Sequence, residues 1–295
     1  MFAPMARTRE IKKRITAVRT IERITKTMQM IATAKFTSAL HSAKRTQPYA
    51  EKVRQLVGEV SAAAGDIEHP LINGPAEPVK RELLLVITSD RGLCGAYNGN
   101  ILRAAMSHVR KVRAAGSEIV LQTAGKKAVG YFKFQRVPIT ERYTFGDKID
   151  YAQVERLAEK YINAFSGGEF DAVRVASMKF ISNSRQTPQV LQLLPLKPAE
   201  ADAADEAAAS AVYEFSPSAE ALLDDLLPLT VKTMLFQAFN EAVVSEQIMR
   251  MIAMKAATEN AKEIGKLLKR KFNRARQSQI TTELMEVISG AAALG

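Results

Sequence analysis

The sequence predicts an α/β protein in which two long terminal helices pair as an antiparallel coiled coil and flank an inserted α/β domain. The chain contains neither glycine nor proline from Met5 to Gln47, and a second helical pattern runs from Ser216 to Gly290. Between these two segments, short apolar runs alternate with amphipathic ones, which is typical of an α/β sheet. Two helices that leave one domain on the same side are antiparallel, because the chain runs out along one and returns along the other.

The first long helix is predicted over residues 5–64. Its apolar residues recur every three or four positions, as on one face of an amphipathic helix. They are Ile11, Ile15, Val18, Ile21, Ile24, Met28 and Ile31. The mean spacing is below 3.6 residues, so this stripe should wrap left-handedly around a partner helix. Pro48 is expected to bend or interrupt the helix, and the pattern resumes as far as Val60. Glycine and proline between Gly65 and Pro78 indicate a loop.

Residues 80–196 are predicted to form the α/β domain. Predicted strands are Glu82 to Thr88, Glu118 to Thr123, Ala172 to Ile181 and Gln189 to Leu194. Predicted helices are Ile101 to Val112, Ala128 to Phe134 and Tyr151 to Phe165. Strands that alternate with helices indicate crossover connections and a Rossmann-like sheet. The alanine-rich, acidic residues 197–212 that follow predict a mobile surface loop.

The second long helix is predicted over residues 216–290 and should pair with residues 5–64. Ser216 and Pro217 have the composition of a helix start. The apolar stripe includes Leu222, Leu226, Phe239, Ile248, Ile252, Ile264, Leu267, Leu268, Phe272, Ile280, Leu284, Val287 and Ile288. Pro228 is expected to kink the first turns. At 1.5 Å per residue the two helical segments reach roughly 80 Å and roughly 110 Å.

The charge of the chain points to an anionic partner. The formal net charge is +11 and the sequence pI is about 9.7. Basic residues cluster on both long helices, and such a charge fits nucleic acid, an anionic membrane face or an acidic protein surface. Against nucleic acid, no aromatic residue follows the N-terminal basic cluster before Phe36, and no known DNA-binding motif occurs. Two basic stripes on one helical pair favour an acidic protein surface, with a basic nucleic-acid-binding protein as the alternative.

Residue patterns for catalysis or cofactor binding are weak. Gly92 to Gly95 follow a strand, where a phosphate-binding loop would lie, but neither dinucleotide nor P-loop spacing is present. A tight strand-to-helix turn is the better interpretation. Cys94 is the single cysteine, which excludes an internal disulfide, and no paired Cys/His spacing indicates zinc. We therefore predict no catalytic residues, no metal and no cofactor.

The ordered motifs of the chain resemble those of the F-type ATP synthase γ family along nearly its whole length. In the first half they are Arg9 to Ile11, Ile24 to Met30, Ala34-Lys35 and Ser89 to Gly95. Later motifs are Phe180 to Asn183, Gln192 to Leu196, Ser245 to Gln247, Arg250-Met251, Met254 to Asn260, Asn273 to Gln277, Ile280-Thr281, Glu283-Leu284 and Ser289 to Ala291.

The resemblance implies a non-catalytic central rotor shaft inside a ring of three α and three β subunits, near the ε subunit and the membrane c-ring. Transferred by position, Arg250, Arg276, Gln277 and Thr281 match residues that contact β subunits, and Met28 matches a position near the lower β contact. Residues 284–294, including Leu284 and Ile288, would form an apolar tip in the top bearing. The implied function is mechanical coupling of c-ring rotation to ATP synthesis or hydrolysis.

The chain departs from the family pattern in two places. Ser216 stands where many members carry an acidic residue near the c-ring, so that contact is not assigned. The regulatory cysteine insert of chloroplast members is absent. Similarity begins near Met5 or Arg7, which leaves no room for a transit peptide and makes Met5 an alternative start. We therefore expect a bacterial protein, peripheral on the cytoplasmic side of the inner membrane.

Overall fold

A computed structural model describes residues 3–64, 69–74, 79–146, 148–196 and 219–294. The predicted acidic loop at 197–212 and the helix start at Ser216 lie outside these residues. The chain divides into two compact units. The paired-helix unit consists of Met1–Thr33 and Arg250–Gly295, and the sheet unit consists of Ala34–Met249.

The first and last helices are α1, Ala3–Ala64, and α6, Ala219–Leu294. Pro48 lies inside α1 and does not interrupt it, so the expected interruption at this residue is wrong. A proline inside a helix removes one backbone hydrogen bond. Buried Ala43 and Val53 on either side of Pro48 anchor the flanking turns, which compensates for that loss. Pro228 likewise lies inside α6, between buried Leu227 and Val231.

The sheet unit contains five strands in the order β3-β2-β1-β4-β5. The strands are β1 (Arg81–Ile87), β2 (Glu118–Ala124), β3 (Glu141–Tyr143), β4 (Ala172–Phe180) and β5 (Gln186–Leu194). The helices of this unit are α2 (Pro70–Asn73), α3 (Tyr97–Ala114), α4 (Lys126–Phe134) and α5 (Tyr151–Ser166). The first four strands are parallel, and β5 is antiparallel to β4, which confirms the α/β prediction. Only β3 and α2 were not predicted, because such short elements show no periodicity.

Both faces of the sheet are covered by helices. Leu83, Leu85 and Ile87 of β1 face a core built with α5 and the first part of α6. Leu84 and Val86 face the opposite core, built with α3 and α4. The chain crosses from β3 back past β1 to β4, and right-handed crossovers then place α5 on the face opposite α3 and α4. A strand buried on both faces explains the uninterrupted apolar run in β1.

A buried polar network joins β3 to α5. The Tyr161 hydroxyl donates to Gln122 Oε1 at 2.8 Å, and the Tyr143 hydroxyl lies 3.1 Å from the same oxygen. Burial raises the pKa of Tyr161 well above its ordinary value, and it raises the pKa of Tyr143 as well. Hydrogen bonds from Lys160 and Tyr143 lower the pKa of the Glu141 carboxyl. These bonds hold a three-residue edge strand that would otherwise have little to anchor it.

The two helices of the paired-helix unit are antiparallel. The Thr8 hydroxyl lies 3.0 Å from Gln279 Oε1, and the Thr25 and Thr258 hydroxyl oxygens are 2.8 Å apart. Between these contacts, a Cβ placed on Gly265 would lie 3.8 Å from Val18 Cγ1. Residue numbers rise along α1 as they fall along α6, which confirms the predicted antiparallel pairing.

A regular seam runs between these helices. Its buried and half-buried positions on α1 are Thr8, Ile11, Ile15, Val18, Glu22, Thr25, Gln29 and Ala32. Those on α6 are Met254, Thr258, Ala261, Gly265, Leu268, Phe272, Ala275 and Gln279. The steps alternate between three and four residues, which is the 3.5-residue period of a left-handed coiled coil.

The predicted apolar stripe follows this seam only in part. Ile11, Ile15 and Val18 lie in it, but Ile21, Ile24 and Ile31 are about half exposed and lie beside it. On α6, Ile252, Ile264, Leu267, Ile280, Leu284, Val287 and Ile288 are also exposed. The prediction that the apolar stripe pairs the two helices is therefore wrong for Ile21, Ile24 and Ile31 of α1 and for Ile252, Ile264, Leu267 and Ile280 of α6. Small Thr25, Ala32 and Ala261 fill the seam instead, because a 3.5-residue period leads from Val18 to Thr25 and Ala32.

Candidate protein-interaction surface

One edge of the paired-helix unit carries a series of cations at seven-residue intervals. This cationic edge consists of Lys12, Arg19 and Lys26 on α1 with Lys255, Lys262, Lys269 and Arg276 on α6. Each residue directly follows a seam position, and in an antiparallel pair such equivalent positions lie along the same edge. All seven side chains are exposed. Within the described parts of the chain none of them forms an ion pair, so their charge faces outward.

The opposite edge is largely apolar over residues 17–31 of α1 and 257–267 of α6. This apolar edge consists of Ala17, Ile21, Ile24, Met28 and Ile31 on α1 with Ala257, Ile264 and Leu267 on α6. Ile21 and Ile264 both lie on this edge, and both side chains are 50% exposed. A contiguous exposed row of isoleucine, leucine and methionine marks a surface that another protein covers.

The end of α6 presents a third surface. Thr8 meets Gln279, so α6 from Met285 onward extends past Ala3, the first described residue of α1. Leu284, Met285, Val287 and Ile288 are all exposed on this last segment. A single helix with such side chains has no apolar partner within the described chain, which fits an external binding pocket.

The predicted contact residues are distributed along the unit and are not gathered at one point. Met28 lies half-buried on the apolar edge, and Arg276 belongs to the cationic edge. Gln277 and Thr281 are exposed, and Leu284 and Ile288 lie on the exposed last segment of α6. The remaining residue, Arg250, is 8% exposed.

The N-terminus of α4, the helix that follows β2, is occupied by residues of the turn after β1. The first three backbone N–H groups of α4 donate to Asp90 Oδ1 at 3.0 Å, the Ser89 carbonyl at 3.2 Å and Thr88 Oγ1 at 3.0 Å. A helix N-terminus binds an anion through these groups. The Asp90 carboxylate already takes the place of that anion.

The neighbouring turns are held rigidly. Gly125, the residue before α4, has φ of 101°, and a Cβ there would lie 2.1 Å from the Thr88 carbonyl oxygen. Asn98 Nδ2 donates to Ser89 Oγ at 2.8 Å and lies 3.1 Å from Cys94 Sγ. Cys94 is buried. Tight-turn geometry thus accounts for the Ser89 to Gly95 motif.

A cavity of about 310 Å³ lies beside this turn. Asp90 and Glu246 line it together with Arg91 and the aromatic rings of Phe145 and Phe239. Two carboxylates are a poor lining for a nucleotide phosphate. Among the described residues, no group of His, Cys, Asp and Glu is arranged to hold a metal ion.

Comparison with known proteins decides the family. A family model described as ATP synthase matches residues 7–294. The ATP synthase gamma chain of Rhodopirellula baltica is 40% identical over 98% of this chain and 99% of its own length.

The chain belongs to the ATP synthase gamma-chain family.

Other gamma chains and solved structures agree with this assignment. The gamma chain of Leptospira biflexa is 37% identical over 98% of this chain and 100% of its own length. A chain in the cryo-EM structure of the Euglena gracilis mitochondrial ATP synthase is 16% identical, with a TM-score of 0.67 over 98% of this chain and 95% of that one. A chain in the cryo-EM structure of the Tetrahymena thermophila mitochondrial ATP synthase central stalk and c-ring is 20% identical. Its TM-score is 0.57 over 79% of this chain and 99% of that one. At such identities the structures show a shared fold.

Two further observations bear on this gamma-family chain. No helix in the described residues is both long and apolar enough to cross a membrane.

The sequence shows both basic clusters, but it does not show directly that members of the two clusters lie along one edge. The signal was present in the seven-residue spacing of Lys255, Lys262, Lys269 and Arg276.

Proposed function

We propose that the chain is the central-stalk rotor subunit of an F-type ATP synthase and couples c-ring rotation to ATP synthesis or hydrolysis at the β subunits. It carries no active site of its own in this proposal. Family membership supports the assignment, and the observation that carries it is the two-edged helical pair. The nucleic-acid-binding alternative has no support from the comparisons.

A shaft with two chemically different edges suits a rotor. Inside a ring of identical subunits, the copy beside the cationic edge meets a positive field, and the copy beside the apolar edge meets exposed isoleucines. A surface can shift a partner's conformational equilibrium only by the difference in its affinity for the partner's states. Rotation of such a shaft therefore presents each copy in turn with a different bias.

The partners in this proposal are three α and three β subunits, the ε subunit and the membrane c-ring. The proposed β contacts are Met28, Arg250, Arg276, Gln277 and Thr281, and the exposed end of α6 with Leu284 and Ile288 turns in an apolar bearing. The chain is peripheral on the cytoplasmic side of a bacterial inner membrane. The segments 5–64 and 216–290 act as the shaft, 80–196 as the domain near ε and the c-ring, and 197–212 as a surface loop.

The energetics require a stiff shaft. One elementary charge that crosses 100 mV releases about 2.3 kcal/mol. Synthesis of one ATP must combine several such crossings, so the shaft has to hold twist between steps. The continuous seam of the paired-helix unit is the element that resists bending and unwinding.

Co-purification of the tagged chain from its native host tests the proposal. We expect α and β subunits in threefold excess over this chain, together with ATPase activity. Recovery of the chain alone, or with nucleic acid, would refute the rotor assignment.

A charge-reversal pair tests the cationic edge within the assembled complex. Lys262→Glu with Lys269→Glu should reduce ATP-driven proton pumping in reconstituted vesicles. The matched control, Lys13→Glu with Arg270→Glu, makes the same charge change on outer faces away from both edges. Equal effects of the two pairs would contradict a role specific to the cationic edge.

A further inference from the structure

The middle of the helical seam is built from small and polar side chains. Glu22, Thr25 and Gln29 occupy the α1 positions after Val18, and Ala261 and Gly265 lie among those on α6. Elsewhere in the seam Ile15, Leu268 and Phe272 provide bulk. Large side chains fix the axial register of a coiled coil by fitting between the residues of the facing helix. In this stretch small residues bring the helices close but give little such interlocking.

One buried hydrogen bond crosses the seam in this stretch. Thr25 and Thr258 are 9% and 4% exposed, and their hydroxyl oxygens are 2.8 Å apart. Each hydroxyl also lies near a carbonyl oxygen of its own helix, Glu22 at 3.1 Å and Met254 at 2.8 Å, so one of the two donates across the seam and the other donates to its own helix.

The bond exists in only one register. A slip of α6 by one heptad would place Met251 or Gly265 opposite Thr25, and neither residue has a side chain that can donate a hydrogen bond. Thr258 would keep an acceptor on its own helix, because its hydroxyl also lies 2.8 Å from the Met254 carbonyl oxygen. The shift thus loses one hydrogen bond without leaving a buried hydroxyl unsatisfied.

A second hydrogen bond joins the helices between Thr8 and Gln279. Thr8 lies 17 residues from Thr25 along α1, or about 25 Å at 1.5 Å per residue. Twisting or bending two joined helices forces one to slide along the other. Bonds at two separated levels oppose that sliding.

We propose that Thr25 and Thr258 are positioning residues that fix the axial register of the two helices, so that the pair transmits twist as one body. The register itself follows from the seam alone. Its effect on energy coupling rests on the rotor function proposed above.

Cross-linking in the assembled ATP synthase tests the register. Thr8→Cys with Gln279→Cys reports the native register, and Thr8→Cys with Glu286→Cys reports a slip of one heptad. A short bifunctional thiol reagent joins each pair, and a chain with only Cys94 measures the background. Each reporter is placed in three backgrounds: wild type, Thr25→Val with Thr258→Val, and Thr258→Ser.

We expect the slipped-to-native ratio to rise about fivefold in the double valine variant, the factor that one net hydrogen bond supplies. The ratio should stay at the wild-type value in Thr258→Ser, which keeps the hydroxyl. Valine keeps the shape of threonine and adds no polar group, so the thermal stability of the complex should not fall. A purely structural role would instead lower stability. Single Thr258→Val replaces the double variant if the latter does not assemble.

An unchanged ratio in the valine variants, or an equal rise in Thr258→Ser, would overturn the positioning role. Proton pumping per ATP hydrolysed is measured on the same samples without cross-linker and should fall with the valine variants. A raised ratio with unchanged pumping would overturn the effect on coupling. Failure of the wild-type chain to bring down α and β subunits would instead count against the rotor function.

Discussion

Replacement of Asp90 by alanine tests whether this carboxylate occupies the anion position at the start of α4. The substitution removes the acceptor 3.0 Å from the Lys126 backbone N–H. Loss of a carboxylate cap costs about 1 kcal/mol, within a range of roughly 0.5–2 kcal/mol. The Ser89 carbonyl and Thr88 hydroxyl keep the next two N–H groups satisfied. The loss is therefore limited to one cap and one helix-dipole interaction.

Thermal unfolding of the purified chain measures this effect. A loss of about 1 kcal/mol lowers Tm by about 2–4 °C in a unit of this size. Asp150→Ala is the matched control, because Asp150 caps α5 through the Ala152 N–H at 3.3 Å and has no connection to the turn after β1. Both variants should lose stability, but only Asp90→Ala should regain it on addition of inorganic phosphate, which can then bind the freed N–H group.

Two results would refute the argument. A wild-type Tm that rises with ATP or phosphate would mean that the anion position is open. An Asp90→Ala variant as stable as wild type, beside a destabilised Asp150→Ala, would mean that the carboxylate makes no net contribution at α4.

Three more outcomes are expected. Tyr161 has a folded-state pKa raised above its unfolded value near 10. Its neutral form favours folding, so the free energy of unfolding, measured by denaturant titration, should decline as pH rises above about 10. The decline should be smaller in Tyr161→Phe. Gly125→Ala should cost about 3 kcal/mol or more, since its Cβ would meet the Thr88 carbonyl at 2.1 Å. Gly130→Ala in the same helix has open space and should gain up to about 1 kcal/mol, so equal signs in thermal melts would contradict the geometry. Ile15→Asp or Phe272→Asp in the seam should uncouple ATP hydrolysis from proton pumping in vesicles, and unchanged coupling would count against a seam that stiffens the helical pair.

The sequence was most informative where burial on both sides of an element left a strong pattern. The strand predicted at Glu82 to Thr88 is β1, within one residue at each end. The four-residue helix α2 and the three-residue strand β3 are shorter than the periods that reveal helices and strands. Continuity of α1 through Pro48 depends on packing around Ala43 and Val53, which local propensity does not contain.

The interaction surface was harder to predict because hydrophobicity alone does not say which apolar residues pair within the chain. Ile21 and Ile24 are more hydrophobic than Thr25, yet Thr25 lies in the seam. The period of the seam, not the hydrophobicity of its members, decides which side chains face the other helix. The isoleucines left outside then indicate a partner absent from the chain, and that partner cannot be read from one sequence.

The Asp90 side chain at the start of α4 also has a consequence for how this helix end would respond to free anions. A domain that binds nucleotide is stabilised in proportion to the logarithm of ligand concentration, and its rigidity follows supply. Asp90 is part of the chain, so its carboxylate occupies the N-terminus of α4 at any concentration of free anion. We therefore expect the stability of the sheet unit to stay the same at low and at high concentrations of ATP and phosphate.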